Sequence, residues 1–422
     1  MRVLLTGAHG FIGSYVASAL RAAGHTVVAC VRTPHSEDEV ACDLARDVEV
    51  SDWAPRLAGI DAVVNCAGIL RETGAQTFAA VHVAAPVALF RACVEAGVAR
   101  VVQVSALGEP EDGAFIVSKH QADAALATLA LDWTVLRPGL VYSASGSYGG
   151  TALLRALAVL PGVMFLPQRG EQRLRPVAAE DVGAAVVAAL ARAPAAREVI
   201  ELTGPDALRY VDYQRAWRAW FGLPRAFEIA VPRAMVDATV ALGEAFTRGP
   251  LCRVIWKLLQ RERVGAADAG AHLTDTLRLA PRSLAVALAE RPCRASDREA
   301  ARLYALVPAL RVAFALLWIV SGLVGLAAPA ARIAATLPTW PLSFATTLAR
   351  TTGVADLALG LLLLFNLRTR VVTALMLAML LAYTAGIGVF APQAWLDPFG
   401  GLIKNLVLII ALLLLRVLTP RS

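Results

Sequence analysis

The sequence runs to 422 residues, 57% of them hydrophobic and 17% charged, with a formal net charge of +7. Soluble globular proteins hold about 25% charged residues, and the deficit here is concentrated after about Arg302, where the chain reads as apolar blocks. A positive balance suits a nucleic-acid partner, but the arginines are scattered without a basic run or interleaved aromatics, which argues against one.

Strand-like runs at Val3–Thr6, Thr26–Val31, Ala62–Cys66, Val101–Ser105, Trp133–Leu136 and Val199–Leu202 alternate with helical stretches at Phe11–Ala23, Gln76–Ala96, Gly113–Leu129 and Glu180–Ala191. Continuous apolar strands alternating with helices predict an α/β fold, a doubly wound parallel sheet covered on both faces, over residues 1–205. Residues 206–300 mix aromatic-rich amphipathic helices, Tyr210–Phe221, Met235–Phe246 and Leu251–Leu259, with proline breaks. They read as a helical lobe beside the substrate or the membrane, or as a connector. In residues 301–422, four apolar segments follow: Leu310–Ala328, about Leu348–Phe365, Val371–Phe390 and Leu402–Leu415. Each approaches the ~20 residues that cross ~30 Å of hydrocarbon, which predicts an all-α four-helix transmembrane bundle in contact with the lipid bilayer.

Thr6-Gly7-Ala8-His9-Gly10-Phe11-Ile12-Gly13 directly follows the first strand and opens a helix. In this strand–turn–helix context the three glycines serve a tight turn, a close backbone approach to a pyrophosphate and close helix–strand packing. The helix N-terminus supplies amide donors and a favourable dipole for phosphate. The second strand ends in Cys30-Val31-Arg32, where an NAD-specific site usually carries an acid for the ribose 2′-hydroxyl. Arginine there suits a 2′-phosphate, so NADP is expected in preference to NAD, unless Arg32 is only a surface charge. The six cysteines, Cys30, Cys42, Cys66, Cys93, Cys252 and Cys293, form no C-x-x-C pair and no cluster of metal spacing. Reduced thiols in a cytosolic setting and no metal site are expected. Three glycines interrupt Met1–Leu20, so no secretory leader is expected.

The T-G-x-x-G-x-x-G spacing resembles the short-chain dehydrogenase/reductase family, and further matches come in order. Asp43-Leu44 looks like the family's adenine-contacting pair, and Asn65-Cys66-Ala67-Gly68 like its N-x-A-G segment beside the cofactor. Ser105, in Val104-Ser105-Ala106, sits where the family carries its catalytic serine, and Ser118-Lys119 resembles the end of its Y-x-x-S-K motif. Arg137-Pro138-Gly139-Leu140-Val141-Tyr142 resembles a stretch of extended members, and Arg175-Pro176-Val177 with Glu180-Asp181-Val182 a later substrate-domain segment. The likeness covers roughly residues 1–300. It is greatest to the atypical extended group that includes the nucleotide-binding accessory subunit of respiratory complex I. The resemblance implies catalytic roles for Ser105 and Lys119. It implies a cofactor site at Thr6, Gly7, His9, Gly10, Phe11, Ile12, Gly13, Arg32, Asp43, Leu44, Cys66, Ala67, Gly68, Lys119 and Pro138. Where the family carries its proton-transferring tyrosine, this chain has Phe115, which has no proton to give. Tyr142 and Tyr148 are candidate substitutes.

The last four segments resemble the DoxX-like membrane family, through Trp318-Ile319-Val320-Ser321-Gly322, Gly353-Val354-Ala355-Asp356-Leu357-Ala358-Leu359-Gly360 and Lys404-Asn405-Leu406. That resemblance implies a membrane redox context without specifying a reaction. Arg302, Arg311, Arg368, Arg370, Arg416 and Arg421 fall on one side of the bundle and Arg332 and Arg350 on the other. By the positive-inside rule both the N-terminal domain and the C-terminus face the cytoplasm, at the inner membrane. In that topology Asp356, Lys404 and Tyr383 share a depth, and an Asp356–Lys404 ion pair is expected.

Two functions stand open at this level. One is a membrane-anchored NADP(H)-dependent oxidoreductase or epimerase-like enzyme acting on a membrane-delivered substrate such as a quinone or isoprenoid. The other is a catalytically degenerate nucleotide-binding subunit of a membrane redox complex. Phe115 favours the second, whereas Ser105 and Lys119, one of only three lysines in the chain, favour the first.

Overall fold

A computed structural model describes residues 1–98, 100–146, 149–192, 197–246, 253–260, 265–266, 269–336, 340–390, 392–396 and 401–419. The chain divides into two compact units, Met1–Ala241 with Gly249–Ala301, and Leu242–Arg248 with Arg302–Ser422.

The first unit is built on strands β1 (Arg2–Thr6), β2 (Thr26–Val31), β3 (Glu39–Ala41), β4 (Ala62–Asn65), β5 (Arg100–Val104) and β6 (Asp132–Pro138). The shorter β7 (Val141–Tyr142), β8 (Val163–Pro167), β9 (Arg173–Leu174) and β10 (Val177–Ala178) follow, then β11 (Glu198–Leu202), β12 (Leu208–Arg209) and β13 (Phe227–Val231). Seven of them form one parallel sheet in the order β11-β6-β5-β4-β1-β2-β3. The order reverses between β1 and β4, and ligands of such sheets bind in the crevice at the carboxyl ends of strands flanking that reversal.

Helices α1 (Phe11–Ala22), α2 (Val50–Trp53), α3 (Ala85–Ala96), α4 (Ala114–Ala127) and α6 (Ala179–Leu190) cover the two faces, and α5 (Gly149–Ala158) packs apart from the sheet. One layer packs Val16 and Leu20 of α1 and Val182 and Val186 of α6 against Leu5, Val64 and Leu136. The other packs Leu89, Phe90 and Cys93 of α3, with Trp53, against Leu4, Val63 and Val101. A third core lies among α7 (Tyr210–Trp220), β7–β10 and α11 (Leu284–Glu290), around Tyr142, Tyr213 and Trp217. Between α7 and α11 in the chain come α8 (Arg233–Phe246), α9 (Arg253–Leu259) and α10 (Ala269–Leu277).

The expected helix at Gln76–Ala96 is broken. Residues 66–78 are mostly loop, and Ala79–Ala84 form a π-helix that leads into α3. Ala79–Ala96 is long and apolar enough to cross a membrane, but half of its window is buried in this unit, where it covers the sheet. Edge strand β3 and the short pairs β7–β10, β9–β12 and β8–β13 were not expected. β3, β7, β9, β10 and β12, of two or three residues, are too brief to leave a period in the sequence, and β8 and β13 lie outside the strand–helix alternation that marks the main sheet.

The C-terminal helical region, in the second unit from Arg302 on, holds four apolar helices. Three of them, α12 (Ala295–Ala327), α14 (Leu342–Leu364) and α15 (Thr369–Phe390), are long and apolar enough to cross a membrane; the fourth, α16 (Ile403–Leu418), has 16 residues, and the short α13 (Ala330–Thr336) lies between the first two. Phe314, Trp318, Leu359, Met376, Leu380, Leu412 and Leu415 fill its interior, while Leu317, Val320, Val371, Val407, Ile410 and Val417 face outward. Helices that are apolar on both faces are the mark of a lipid solvent.

Candidate functional site

Thr6 ends β1 beneath the crevice, and the chain then turns through Gly7 at φ +69°. A methyl on Gly7 would come within 2.9 Å of the backbone at Cys66 and Ala67 on the neighbouring strand end. A methyl on Gly13 would sit 2.0 Å from the Gly7 carbonyl oxygen, so helix and loop touch there through bare backbone. The Gly10 amide donates to the Gly7 carbonyl oxygen at 2.9 Å, closing the loop. Gly10 is the N-cap of α1, and no side chain caps the amides that follow. Those orphaned donors, at the end of a 12-residue helix and beside a backbone cradle, fit the pyrophosphate of a dinucleotide. His9 and Gly10 are exposed, Phe11 and Ile12 half-buried.

Under the loop, three strands join through side chains. The Thr6 hydroxyl donates to Asn65 Oδ1, Asn65 Nδ2 donates to Gln103 Oε1 at 2.7 Å, and the Ala67 amide returns to Asn65 Oδ1 at 3.1 Å. Around the adenine end, Arg32 is exposed just after β2. The Asp43 side chain accepts from the Ala45 amide, and Leu44 packs on the core beneath. His9 pairs with Glu39 at 3.0 Å, spanning from the glycine loop to β3.

Beside Gly68 lies the chemically dense part. Lys119, on α4, is only 5% exposed and donates to the Ala67 carbonyl at 2.6 Å and to the Val104 carbonyl at 3.4 Å. Burial holds its ammonium down to about 8, against the opposing pull of Asp123 and Cys66. A methyl on Gly68 would fall 2.9 Å from Lys119 Nζ and 3.5 Å from His82 Nε2. His82, on the π-helix, is 1% exposed. It accepts the Ile69 amide on Nε2 at 2.9 Å and donates from Nδ1 to the Ser118 hydroxyl at 2.8 Å, and Ser118 passes its own proton to the Phe115 carbonyl. Burial, then the charge of Lys119, keep His82 neutral down to about pH 2. The Phe115 ring packs edge-on against His82 and Phe78.

Ser105 is engaged by a carboxylate of α4. Its hydroxyl donates to Asp123 Oδ2 at 2.8 Å, and the same oxygen takes two bonds from Arg137, at 3.0 and 3.1 Å. Pro138 is buried at the end of β6 and its carbonyl holds the Leu107 amide. Tyr142 is 0% exposed and packs on Trp217 in the third core, where burial raises its hydroxyl well above the ordinary phenol. Core packing therefore takes the candidate donor Tyr142 out of contact with Phe115 and Lys119. Tyr148 lies outside the described residues. Sequence reasoning missed His82 and Asp123. Asp123 had a signal, since it lies four residues after Lys119 on one helix face. Among the described residues no group of His, Cys, Asp and Glu could hold a metal ion.

Residues 7–193 match the NAD(P)H-binding family and residues 315–413 the DoxX-like family. An epimerase family protein of Mycobacterium bovis is 31% identical over 194 residues, covering 43% of this chain and 60% of that protein. The chain thus spans about three-fifths of the length of that relative. A UPF0659 protein of Saccharomyces cerevisiae is 31% identical over 159 residues, 33% of this chain and 69% of the yeast protein. Among solved structures, the UDP-N-acetylglucosamine 4-epimerase of Bacillus cereus has TM-score 0.52 at 16% identity, covering 69% of this chain and 94% of its own. MoeE5, solved with UDP-glucuronic acid and NAD, has TM-score 0.51 at 22% identity, covering 72% and 99%. At these identities the structures speak for the fold.

Proposed function

The chain belongs to the NAD(P)H-binding, epimerase-like Rossmann family and carries a DoxX-like domain behind that fold; from that premise we propose a membrane-anchored, NADP(H)-dependent oxidoreductase whose acceptor is a membrane-dissolved quinone. When bound, NADPH supplies a hydride. The chain supplies the cradle of Gly7, Gly10 and Gly13, and Lys119 as the group nearest the reacting end that carries a proton. Phe115 carries the argument toward the acceptor. Reducing a simple ketone leaves an alkoxide, far more basic than a phenolate, and needs a positioned general acid at the oxygen. A quinone that takes up hydride becomes an aromatic phenolate, whose pKa is ~10, like that of tyrosine. It needs little help, and its proton can come from Lys119 or water. Epimerisation on this scaffold would need the acid–base group that Phe115 lacks. Residues 206–300 would then form the lobe over the acceptor. The arginine asymmetry of the bundle, with Arg311, Arg368, Arg370 and Arg416 on one side, supports a cytoplasmic first unit and C-terminus. Impermeant thiol labelling of single cysteines at Leu367 in intact cells would reverse that orientation if it succeeded.

The preference for NADP rests on Arg32, exposed just after β2 and without a side-chain hydrogen bond or ion pair among the described residues. The test of function is NADPH consumption by the purified full chain. Oxidation with quinones and none with simple carbonyls is expected, and equal turnover on both would remove the role given to Phe115. The Ser105–Asp123 bond favours a second reading, in which the nucleotide is held by a non-catalytic subunit of a membrane redox complex. Tight NADPH binding with no turnover on any acceptor would establish it.

A further inference from the structure

We propose that Asp356 is an intramembrane proton-binding site at the meeting of α12, α14 and α15. Its side chain lies inside the second unit at 5% exposure. Oδ2 accepts from the Ser321 hydroxyl of α12 at 3.3 Å and from the Tyr383 hydroxyl of α15 at 3.4 Å, and Oδ1 is buried without a partner. The approach that brings Ser321 there is built into the backbone. A methyl on Gly322 would fall 2.6 Å from the Leu357 amide nitrogen and 2.7 Å from the Gly353 carbonyl oxygen, so α12 and α14 pack with nothing between them. The polar layer continues beside Tyr383, where Asn405 of α16 donates to Thr384 at 2.9 Å.

The expected partner is missing. Lys404 is exposed, and no ion pair joins it to Asp356 among the described residues. The shared depth holds for Tyr383, which bonds Asp356 directly, but Lys404 follows the outward face of α16. The other cations are committed or distant. Arg350 donates to the Gly325 and Ala328 carbonyls at the end of α12, and Arg416 to the Arg370 carbonyl. Arg332 of α13 is exposed, and Arg311 lies ten residues before Ser321 along α12, about 15 Å away at helical rise. Along α14, Asp356 is about 9 Å from the Arg350 level and about 12 Å from the helix end at Leu364, inside a hydrocarbon layer ~30 Å thick. Tyr383 is the titratable group that faces it.

An ionised carboxylate there has one oxygen unpartnered and no cation paired with it among the described residues, and two neutral hydroxyl donors offset only part of its desolvation cost. A carboxylic acid does not: its proton sits on Oδ1, and Oδ2 receives two hydroxyl donors as a carbonyl oxygen does. The layer therefore stores a proton at a fixed point within the bundle. This reading depends on the second unit alone and stands whatever nucleotide the first unit takes.

The test is infrared spectroscopy of the full chain in lipid nanodiscs at neutral pH, wild type minus Asp356→Asn. The expected result is a protonated-carboxyl C=O band that the variant lacks, that shifts in heavy water, and that moves to higher frequency in Tyr383→Phe as one hydrogen bond is lost. Carboxylate bands in its place would overturn the proposal. Should Asp356→Asn fail to fold, Ser321→Ala and Tyr383→Phe carry the test, and a carboxyl band that neither moves would assign the proton elsewhere and overturn it equally.

Discussion

Gly10 and Gly13 separate folding from binding within one loop. A methyl at Gly13 would lie 2.0 Å from the Gly7 carbonyl oxygen and 2.7 Å from its carbon, whereas ordinary contacts lie at 3.4–4 Å. Both partners are backbone, so loop and helix must part by more than an ångström. Overpacking of that kind costs roughly 1–3 kcal/mol or more, and a domain of about 150–250 residues loses about 2–4 °C of melting temperature per kcal/mol. Gly13→Ala is therefore expected to melt roughly 2–12 °C lower. Gly10 has an ordinary φ of −74° and only one near atom, the Gly7 carbonyl oxygen at 3.1 Å. Gly10→Ala should fold normally, yet its methyl stands before the uncapped amides of α1. Loss of one charge-assisted hydrogen bond to phosphate costs about 1.5–3 kcal/mol, roughly a ten- to hundred-and-fifty-fold weakening. Circular dichroism melts and fluorescence titration with NADPH measure the two effects. Wild-type affinity in Gly10→Ala would refute phosphate binding at this helix end, and wild-type melting of Gly13→Ala would refute the backbone contact.

Phe115→Tyr should raise carbonyl reduction, by about 10²–10⁴-fold if the hydroxyl reaches the acceptor oxygen; steady-state rates unchanged by the substitution would show that position 115 no longer faces the reacting atoms. Folded Lys119 releases its proton near 8 and the unfolded amine near 10.5, so between these values the unfolded chain binds more protons. Stability contributed by Lys119 should accordingly rise with pH across that window, by up to about 1.4 kcal/mol per pH unit, and denaturant melts of Lys119→Met should lack this rise; parallel pH profiles would contradict it. Arg32→Ala should weaken NADPH binding about tenfold or more while sparing NADH, and calorimetry showing equal losses for both would remove the 2′-phosphate contact. Acidification below about pH 6.5 should destabilise the chain in part through His82, whose unfolded imidazole takes a proton that the folded one refuses down to about 2; His82→Asn, followed by the same melts, should flatten that slope.

What was legible in the sequence is what repeats or punctuates. The β1–glycine loop–α1 unit, the alternation of apolar strands with helices and the apolar C-terminal segments could all be read from spacing. The π-helix could not, because a one-residue widening of a helix leaves the apolar pattern of Ala79–Ala96 almost intact while turning His82 inward. Side-chain partnerships were the other blind spot. Ser105 finds Asp123 18 residues away and Arg137 reaches the same carboxylate from another element. Asp356 and Lys404 share a depth by arithmetic, but the rotation of α16 that exposes Lys404 is set by packing.

The Thr6–Asn65–Gln103 chain has a consequence for how the sheet assembles. These three residues sit directly across from one another in the pairing of β1, β4 and β5. Apart from Arg2 and Arg100 at their starts, the other residues of those strands are aliphatic or small, so apolar packing alone tolerates a shifted alignment. A slip of one position would place an amide or a hydroxyl opposite a valine and leave it buried without a partner, at a cost of about 1–3 kcal/mol per group. The polar rung thus works as a key to alignment. It admits one arrangement of three otherwise interchangeable strands, and that arrangement is the one that sets the glycine loop against the carboxyl end of β4.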